Sequence, residues 1–225
     1  MNLNKLKCLI PIFLMSLFIL AGCRVGRIMQ EADLSSPEQA EDSAADTIMA
    51  TTVHETVRDK YSTDQVPDGK PVPVEPENNE ISDIEKTCSL YVSCAVILDN
   101  TKRLDKEKLE LVPENGIILH ENEVTFYEGE SVFNLLQREM KKNKIHMEFT
   151  NTPIYNSAYI EGINNIYEFD CGELSGWMYK VNDWFPNYGC SRYQLKEGDV
   201  VEWIYTCDLG RDIGGYSAAG GGNTP

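Results

Sequence analysis

The fold is decided by the stretch Ser131-Val-Phe-Asn-Leu-Leu-Gln-Arg-Glu-Met-Lys-Lys-Asn143. Its apolar residues recur at the spacing of one helix face. These residues are Val132, Leu135, Leu136 and Met140. Ser131 stands directly before them, and serine commonly caps a helix N-terminus because its hydroxyl accepts a bond from a free backbone N–H. The sequence therefore predicts an amphipathic helix over 131–143, with one face directed at a core.

Runs of β-branched and apolar residues lie on both sides of this helix and predict strands. They are Cys88–Leu98, Glu123–Phe126, Met147–Thr150, Gly176–Val181 and Val200–Cys207. Two strands, one helix and then further strands are typical of an α+β domain, in which a mixed sheet packs one face on the helix. We expect a small α+β domain over residues 87–213, preceded by a disordered stalk.

The first residues have the features of a bacterial lipoprotein signal. Lys5 and Lys7 precede an apolar run that ends at Ala21 and is too short to span a bilayer stably. Leu20-Ala21-Gly22-Cys23 has the form of a lipobox. We expect residues 1–22 to be removed as a signal peptide and Cys23 to carry the lipid, at the extracellular face of the cell membrane. The alternative is an uncleaved signal anchor with an incidental cysteine.

The segments that flank the predicted domain are polar. Residues 23–86 are rich in Glu, Asp, Ser, Thr, Ala and Pro, with Tyr61 as the single aromatic residue, and are predicted to be a disordered acidic linker. Residues 214–225 are predicted to be a disordered Gly-rich tail. The formal net charge of −16 argues against nucleic acid as a partner.

Five cysteines remain in the predicted domain, and exported domains most often use cysteines as disulfides. If the first and last strands are parallel neighbours, Cys94 and Cys207 lie at similar heights along them. Cys171 and Cys190 flank the strand that contains Trp177. We therefore predict the bridges Cys94–Cys207 and Cys171–Cys190, with Cys88 unpaired, although the sequence leaves other pairings open.

The sequence predicts neither a catalytic nor a metal site. It contains no Gly-x-Ser-x-Gly nucleophile motif, and its one glycine-rich run lies in the tail rather than in a phosphate-binding loop. A zinc site is disfavoured because no Cys-x-x-Cys pair is present and no histidine stands at ligand spacing. We expect a protein that is not an enzyme and has no cofactor.

The segment from Tyr155 to Tyr193 combines aromatic and amide side chains, which suits a flat, partly polar ligand. The predicted ligand-binding residues are Trp177, Tyr179, Asn182, Trp184, Phe185 and Tyr188. Each has a plainer interpretation. Aromatic residues of strands, such as Trp177 and Tyr179, are more often part of a core, and Asn182-Asp183 also suits a turn.

Four stretches of this region resemble a bacterial domain family related to the C-terminal domain of transcobalamin and intrinsic factor. They are Glu128–Leu136, Gly176–Asn182, Tyr193–Trp203 and Tyr205–Asp208. The resemblance covers essentially all of 87–213 and implies a β-grasp-like fold. In the cobalamin carriers this domain covers one face of a corrinoid, while a helical barrel holds the other.

The resemblance and the aromatic segment together predict a surface-displayed binding domain. Cobalamin or another corrinoid is the first ligand to consider, with a surface protein partner supplying the second half of the site. The alternative is a protein–protein or glycan-binding adhesion module that uses the same aromatic residues. A concave pocket would favour the first hypothesis, and a flat patch on a sheet edge would favour the second.

Overall fold

The computed structural model describes residues 58–219. The predicted signal peptide 1–22, the anchor Cys23 and the linker as far as residue 57 lie outside these residues, as does the tail from residue 220. Within the described range, no helix is both long enough and apolar enough to cross a bilayer.

Residues 58–219 form strands, two α-helices and short 3-10 turns. The strands are β1 (Glu85–Ser93), β2 (Ile117–Tyr127), β3 (Met147–Thr152), β4 (Ser157–Ile163), β5 (Ile166–Tyr167), β6 (Gly176–Val181) and β7 (Val200–Thr206). The α-helices are α1 (Val96–Asp99) and α2 (Val132–Lys142). The 3-10 turns are Pro76–Asn78, Lys106–Leu111, Pro153–Tyr155, Cys190–Arg192 and Arg211–Ile213. The predicted α+β class is confirmed.

The main sheet has four strands in the order β2-β1-β7-β6, and a smaller sheet has the order β3-β4-β5. The first strand, β1, pairs in parallel with the last, β7, which is the arrangement that the predicted Cys94–Cys207 bridge assumed. Its other neighbour, β2, is antiparallel, and so is the β6–β7 pair. The main sheet is therefore mixed.

Helix α2 begins as the sequence predicts. The Ser131 hydroxyl accepts a bond from the backbone N–H of Asn134, and the Asn134 side chain accepts from the backbone N–H of Ser131. The apolar stripe of the helix is fully buried and joins the core formed by the inner faces of the strands. Burial of this stripe, rather than helix propensity, is the main stabilising contribution.

The first strand ends earlier than predicted. The prediction extended it to Leu98, whereas β1 ends at Ser93 and is followed by the turn of helix α1. The Ser93 hydroxyl accepts a bond from the N–H of Ala95 and donates to the carbonyl of Gly116. These two bonds hold the chain in a turn, which apolar composition alone does not reveal.

The smaller sheet was only partly predicted. Strands β4 and β5 are joined by Asn164 and Asn165, both in the left-handed conformation that asparagine tolerates. Polar and aromatic residues in this segment obscured the alternation by which β4 would have been recognised. The hairpin places Tyr159 on an exposed face beside the loops that follow β6.

The predicted linker differs from the structure in its last part. Residues 58–79, which we call the strap, contact the domain: Val74 donates a backbone bond to Arg192, and the Tyr188 hydroxyl donates to the carbonyl of Pro71. The acidic composition had suggested mutual repulsion. Instead, the strap carboxylates of Asp59 and Glu75 pair with the buried Arg192.

The first residues of the predicted tail also contact the domain. The N–H of Gly215 donates to the carbonyl of Gly210, and the ring of Phe185 lies so close to Gly215 that a side chain there would clash. The lack of a Cβ at this glycine therefore permits the close contact.

Candidate functional site

A concave site of about 490 Å³ lies where the strap, strand β4, the segment 186–192 and the chain after β7 meet. Four tyrosines line it, and we call it the tyrosine pocket. They are Tyr61, Tyr155, Tyr159 and Tyr188. Arg192 and Asn187 add polar groups to the same lining. The volume lies within the range of small-molecule sites in proteins.

Each tyrosine is positioned by a different element. Tyr188 is buried, its hydroxyl donates to the Pro71 carbonyl at 2.7 Å, and its ring stacks on that of Tyr193. The hydroxyl of Tyr159, on β4, donates to Glu168. Tyr155, from the turn after β3, is 52% exposed and forms the rim. One side of the pocket is therefore rigid, and the other is open to solvent.

Arg192 carries the positive charge of the pocket and is 1% exposed. Its guanidinium lies 2.6 Å from Asp59 Oδ2 and 2.8 Å from Glu75 Oε1, and it donates to Thr63 Oγ1 at 2.6 Å. The ring of Tyr61 lies against it, with the guanidinium carbon 5.1 Å from the ring centroid. One buried side chain thus contacts three strap residues, in addition to the bonds from Asn187 to the Asp64 carbonyl and from Tyr188 to the Pro71 carbonyl.

The charge of Arg192 changes the titration of Asp59. Burial opposes ionisation of this carboxyl, but hydrogen bonds from Arg192 and from the backbone N–H groups of Thr63 and Tyr61 outweigh it. The result is a pKa of about 2 for Asp59. Asp59 therefore remains an anion, paired with Arg192, at any physiological pH.

Two buried polar atoms of residues that line this pocket have no hydrogen-bond partner among residues 58–219. They are Nε of Arg192, which is a donor, and Oδ1 of Asn187, which is an acceptor. The amide nitrogen of Asn187 donates to the Asp64 carbonyl at 3.1 Å, which orients the side chain. A buried unpaired polar atom costs about 1–3 kcal/mol. A ligand with both an acceptor and a donor would recover part of that cost.

A second cavity of about 160 Å³ adjoins the tyrosine pocket, with which it shares Ala158 and Tyr159. Trp177, Tyr179 and Trp203 line it. The indole Nε1 of Trp203 is buried and also lacks a partner within the described chain. The two cavities together extend from the solvent to the aromatic face of the main sheet.

The predicted site residues separate into three groups. Trp177 and Tyr179 are each 8% exposed and belong to the core. Trp177 Nε1 donates to the Ile166 carbonyl, and the Tyr179 hydroxyl donates to the Tyr188 carbonyl. Trp177 and Tyr179 form a wall of the second cavity, whereas Tyr188 lines the tyrosine pocket itself.

Asn182 forms a turn. It has a positive φ of 50°, its side chain donates to Asp199, and its side-chain oxygen accepts from the N–H of Val200. Reciprocal backbone bonds between Val181 and Trp184 close a tight hairpin around it. The structure thus assigns to Asn182 the turn role that the sequence left open.

Trp184 and Phe185 are half-buried beside the pocket rather than in its lining. Trp184 packs edge-on against Tyr188, and the ammonium of Lys70 lies 5.5 Å from a ring centroid of Trp184. Phe185 and Met178 both pack closely against Gly215. Both residues support the walls of the site from outside.

Sequence reasoning missed Tyr61 and Arg192. Tyr61 was visible as the single aromatic residue in an acidic segment, which is a signal for a contact with the domain. Arg192 gave no comparable signal, since its 133-residue separation from Asp59 can be bridged only by folding. Tyr155, Tyr159 and Asn187 lie in the aromatic and amide segment that the sequence singled out.

The cysteines are arranged differently from the predicted pairs. The predicted bridges were Cys94–Cys207 and Cys171–Cys190, whereas the structure places Cys171 Sγ 3.1 Å from Cys207 Sγ. The reason is that the connection between β5 and β6, which contains Cys171, runs across the end of β7. All five cysteines of residues 58–219 are buried, and no cluster of metal-ligating side chains occurs in this range.

Residues 129–206 match a family model described as a domain of unknown function, DUF4430. The predicted resemblance to a bacterial domain family of unassigned function is confirmed. No curated protein matches the sequence significantly.

Two solved structures are similar to this chain. One is haptocorrin in complex with Cbi, at 14% identity and a TM-score of 0.42, with 58% of this chain and 27% of that chain covered. This chain therefore spans about a quarter of the haptocorrin chain. The other, from Ruminococcus gnavus ATCC 29149, is named as a candidate metal-binding protein. Its identity is 13% and its TM-score 0.31, with 54% of this chain and 96% of that chain covered.

Proposed function

We propose that this chain is a lipid-anchored binding protein on the extracellular face of a bacterial membrane. Its tyrosine pocket binds a flat, partly polar small molecule and does not convert it chemically. A corrinoid is the first ligand to test. The lipobox at Leu20-Ala21-Gly22-Cys23 supports the anchoring part of this proposal.

One observation carries the binding part: two residues that line the concave tyrosine pocket, Arg192 and Asn187, each have a buried polar atom without a hydrogen-bond partner within the described chain. The two atoms are Nε of Arg192, a donor, and Oδ1 of Asn187, an acceptor, and neither is paired among residues 58–219. A carboxamide offers an acceptor oxygen and a donor nitrogen together, and can therefore satisfy both atoms. The concavity favours a small ligand over a flat protein contact.

Corrinoids combine the two features that this lining suits. Their ring is broad and flat, so an aromatic wall can pack on it, and their periphery carries several carboxamides. A pocket of about 490 Å³ accommodates an edge of such a ligand rather than the whole ring. The remaining face would be covered by a partner protein, as the sequence resemblance implies.

The titration of the groups in and beside the pocket is consistent with binding rather than acid–base catalysis. A general acid or base works best with a pKa near the ambient pH. Asp59 has a pKa of about 2 because hydrogen bonds from Arg192 and the strap overcome its burial. Burial raises the pKa of Tyr188, and burial together with the bond to Glu168 raises the pKa of Tyr159. These groups keep one protonation state.

The test is titration of the full chain in detergent with cobalamin and with cobinamide, followed by calorimetry. The full chain is needed because the strap supplies Tyr61 and Asp59. Saturable binding is expected, and Tyr155→Ala should weaken it about tenfold, because an exposed aromatic wall is lost. Asn187→Leu should weaken binding similarly by removing the acceptor.

The matched control is Tyr127→Ala. Tyr127 is also an exposed tyrosine, but it lies on β2 and does not line the pocket. Equal losses of affinity in the Tyr127 and Tyr155 variants would refute the assignment of the site. An absence of binding at millimolar corrinoid would reject corrinoid capture by this chain alone. A glycan or protein screen with the same variants would then test the adhesion hypothesis.

A further inference from the structure

Two buried thiols meet at the end of the main sheet, far along the chain from each other. Cys171 and Cys207 are separated by 36 positions, and their sulfur atoms lie 3.1 Å apart. Both residues are buried. The sulfur atoms of Cys88 and Cys190 contact the backbone carbonyls of Val124 and Ala158, whereas the sulfur of Cys171 contacts both the Asn100 carbonyl and the sulfur of Cys207.

Several hydrogen bonds hold the two thiols in this position. The N–H of Cys171 donates to Ser175 Oγ at 3.1 Å, and the N–H of Cys207 donates to Asp212 Oδ2 at 2.8 Å. The hydroxyl of Tyr205, on β7, lies 2.7 Å from the Tyr167 carbonyl and 2.9 Å from the same Ser175 Oγ.

The backbone adds a further connection, from the N–H of Leu209 to the Leu174 carbonyl at 2.7 Å. The β5–β6 connection is thus fixed against the end of β7 on both sides of the sulfur atoms. Little backbone movement is needed to bring them to the bonding distance of about 2.0 Å.

We infer that Cys171 and Cys207 form the disulfide of this domain. The bond closes by exchange with a disulfide of the extracytoplasmic space, a small-molecule or protein disulfide. One cysteine thiolate attacks a sulfur of that oxidant, which forms a mixed disulfide and releases a thiol. The second cysteine thiolate then attacks the protein-side sulfur, which forms the Cys171–Cys207 bond and releases the second thiol. The oxidant gains the two electrons that the cysteines lose.

The surroundings are those of a structural bridge rather than a reactive thiol. Burial raises the pKa of Cys207, and its thiol neighbour Cys171 raises it further, so little thiolate exists in the folded chain. Exchange therefore takes place during folding, before the sulfurs are covered. The closed bond is then shielded from reductants. It fixes the β5–β6 connection to the end of β7, at the edge of the core.

The occurrence of the Cys171–Cys207 disulfide in the cell rests on the proposed export, since disulfides persist in oxidising compartments. Its chemistry is tested independently of export and of ligand binding. The full chain is refolded in detergent with a buffer of reduced and oxidised glutathione, alkylated under denaturing conditions and digested for mass spectrometry. We expect one cross-linked pair of peptides that contains Cys171 and Cys207, with Cys88, Cys94 and Cys190 alkylated.

Thermal unfolding measured by tryptophan fluorescence provides the second readout. Reductant present during unfolding should lower the melting temperature by about 10 °C, because a bridge across a loop of this length restricts the unfolded chain. The variant Cys171→Ala/Cys207→Ala should lose this sensitivity to reductant. The control Cys88→Ala/Cys190→Ala also removes two buried sulfurs but should retain it.

The proposal is overturned if Cys171 and Cys207 are both recovered as alkylated thiols, or if either is bridged to another cysteine. It is also overturned if the Cys171/Cys207 variant remains as sensitive to reductant as the wild type. A failure of corrinoid binding would leave all of these outcomes unaffected.

Discussion

Replacement of Arg192 by methionine should release the strap from the domain while leaving the main sheet folded. Methionine retains much of the apolar stem but removes the guanidinium that contacts Asp59, Glu75 and Thr63. After the change, Glu75 keeps its hydrogen bond from Asn156, and Asp59 keeps those from the backbone N–H groups of Tyr61 and Thr63.

The change in the free energy of strap opening follows from the contacts that Arg192→Met removes. Each hydrogen bond to a charged group contributes roughly 1.5–3 kcal/mol, and two carboxylates lose one each. The side chains of Asp59 and Glu75 are 35% and 18% exposed, so both are rehydrated once the strap moves. The free energy lost per hydrogen bond is therefore at the lower end of this range. We expect strap opening to become easier by about 3 kcal/mol, which is roughly a 100-fold increase in its equilibrium constant.

Hydrogen exchange measures this opening directly. The N–H of Val74 is bonded to the Arg192 carbonyl across the strap–domain contact, while the N–H of Thr63 is bonded within the strap to Oδ1 of Asp59, the carboxylate that Arg192 holds. Both amides should exchange roughly 100-fold faster in Arg192→Met, while amides of β1 and β7 should change little. Arg192→Lys should fall between the wild type and the methionine variant, because a lysine retains the charge without the fork of donors.

The matched control is Arg58→Met, which removes another strap arginine. The Arg58–Asp64 pair is exposed on both sides, and such pairs contribute at most about 1 kcal/mol. Unchanged exchange of the Thr63 and Val74 amides in Arg192→Met would refute the reasoning, since some other contact would then hold the strap. A uniform increase over the whole chain would show that Arg192 supports the core instead.

Two further predictions concern the pH dependence of stability and the lipid anchor. The pKa of Asp59 is lowered from 3.8 to about 2 in the folded chain, so its contribution is complete above pH 4 and is lost as the pH falls toward 2. Because the side chain is about a third exposed, we expect the contribution to be only about 1 kcal/mol. Denaturant unfolding at several pH values should show Asp59→Asn converging on the wild type across this window, and a constant difference would contradict the assignment. In a host that processes lipoproteins, Cys23→Ser should abolish labelling by a fatty-acid analogue, whereas Cys8→Ser should retain it; the opposite pattern would reject the lipobox assignment.

The local elements were largely predictable because their signals are local. The period of Val132, Leu135, Leu136 and Met140 determines which face of α2 is buried, and Ser131 determines where the helix begins. The strand Gly176–Val181 was predicted with its observed bounds, because alternation is a property of neighbouring residues. The parallel pairing of β1 and β7 was assumed for the cysteine argument, and the structure has it.

The candidate site was predictable only in part. The segment from Tyr155 to Tyr193 does contain three tyrosine-pocket aromatics, Tyr155, Tyr159 and Tyr188. The sequence could not separate them from Trp177 and Tyr179, which alternate correctly for a binding face but are buried in the core. Alternation shows that residues share a face of a strand; it does not show whether that face is covered.

Composition and periodicity thus determined the helix, the main strands and the aromatic region of this protein, because these depend on residues within a few positions of each other. Tertiary structure alone decided that Asp59 meets Arg192, that the Tyr188 hydroxyl meets the Pro71 carbonyl, and that Cys171 meets Cys207. These contacts join residues 133, 117 and 36 positions apart. The charge, hydroxyl or thiol of one residue does not interact with its partner until folding has brought the two together and removed the water between them.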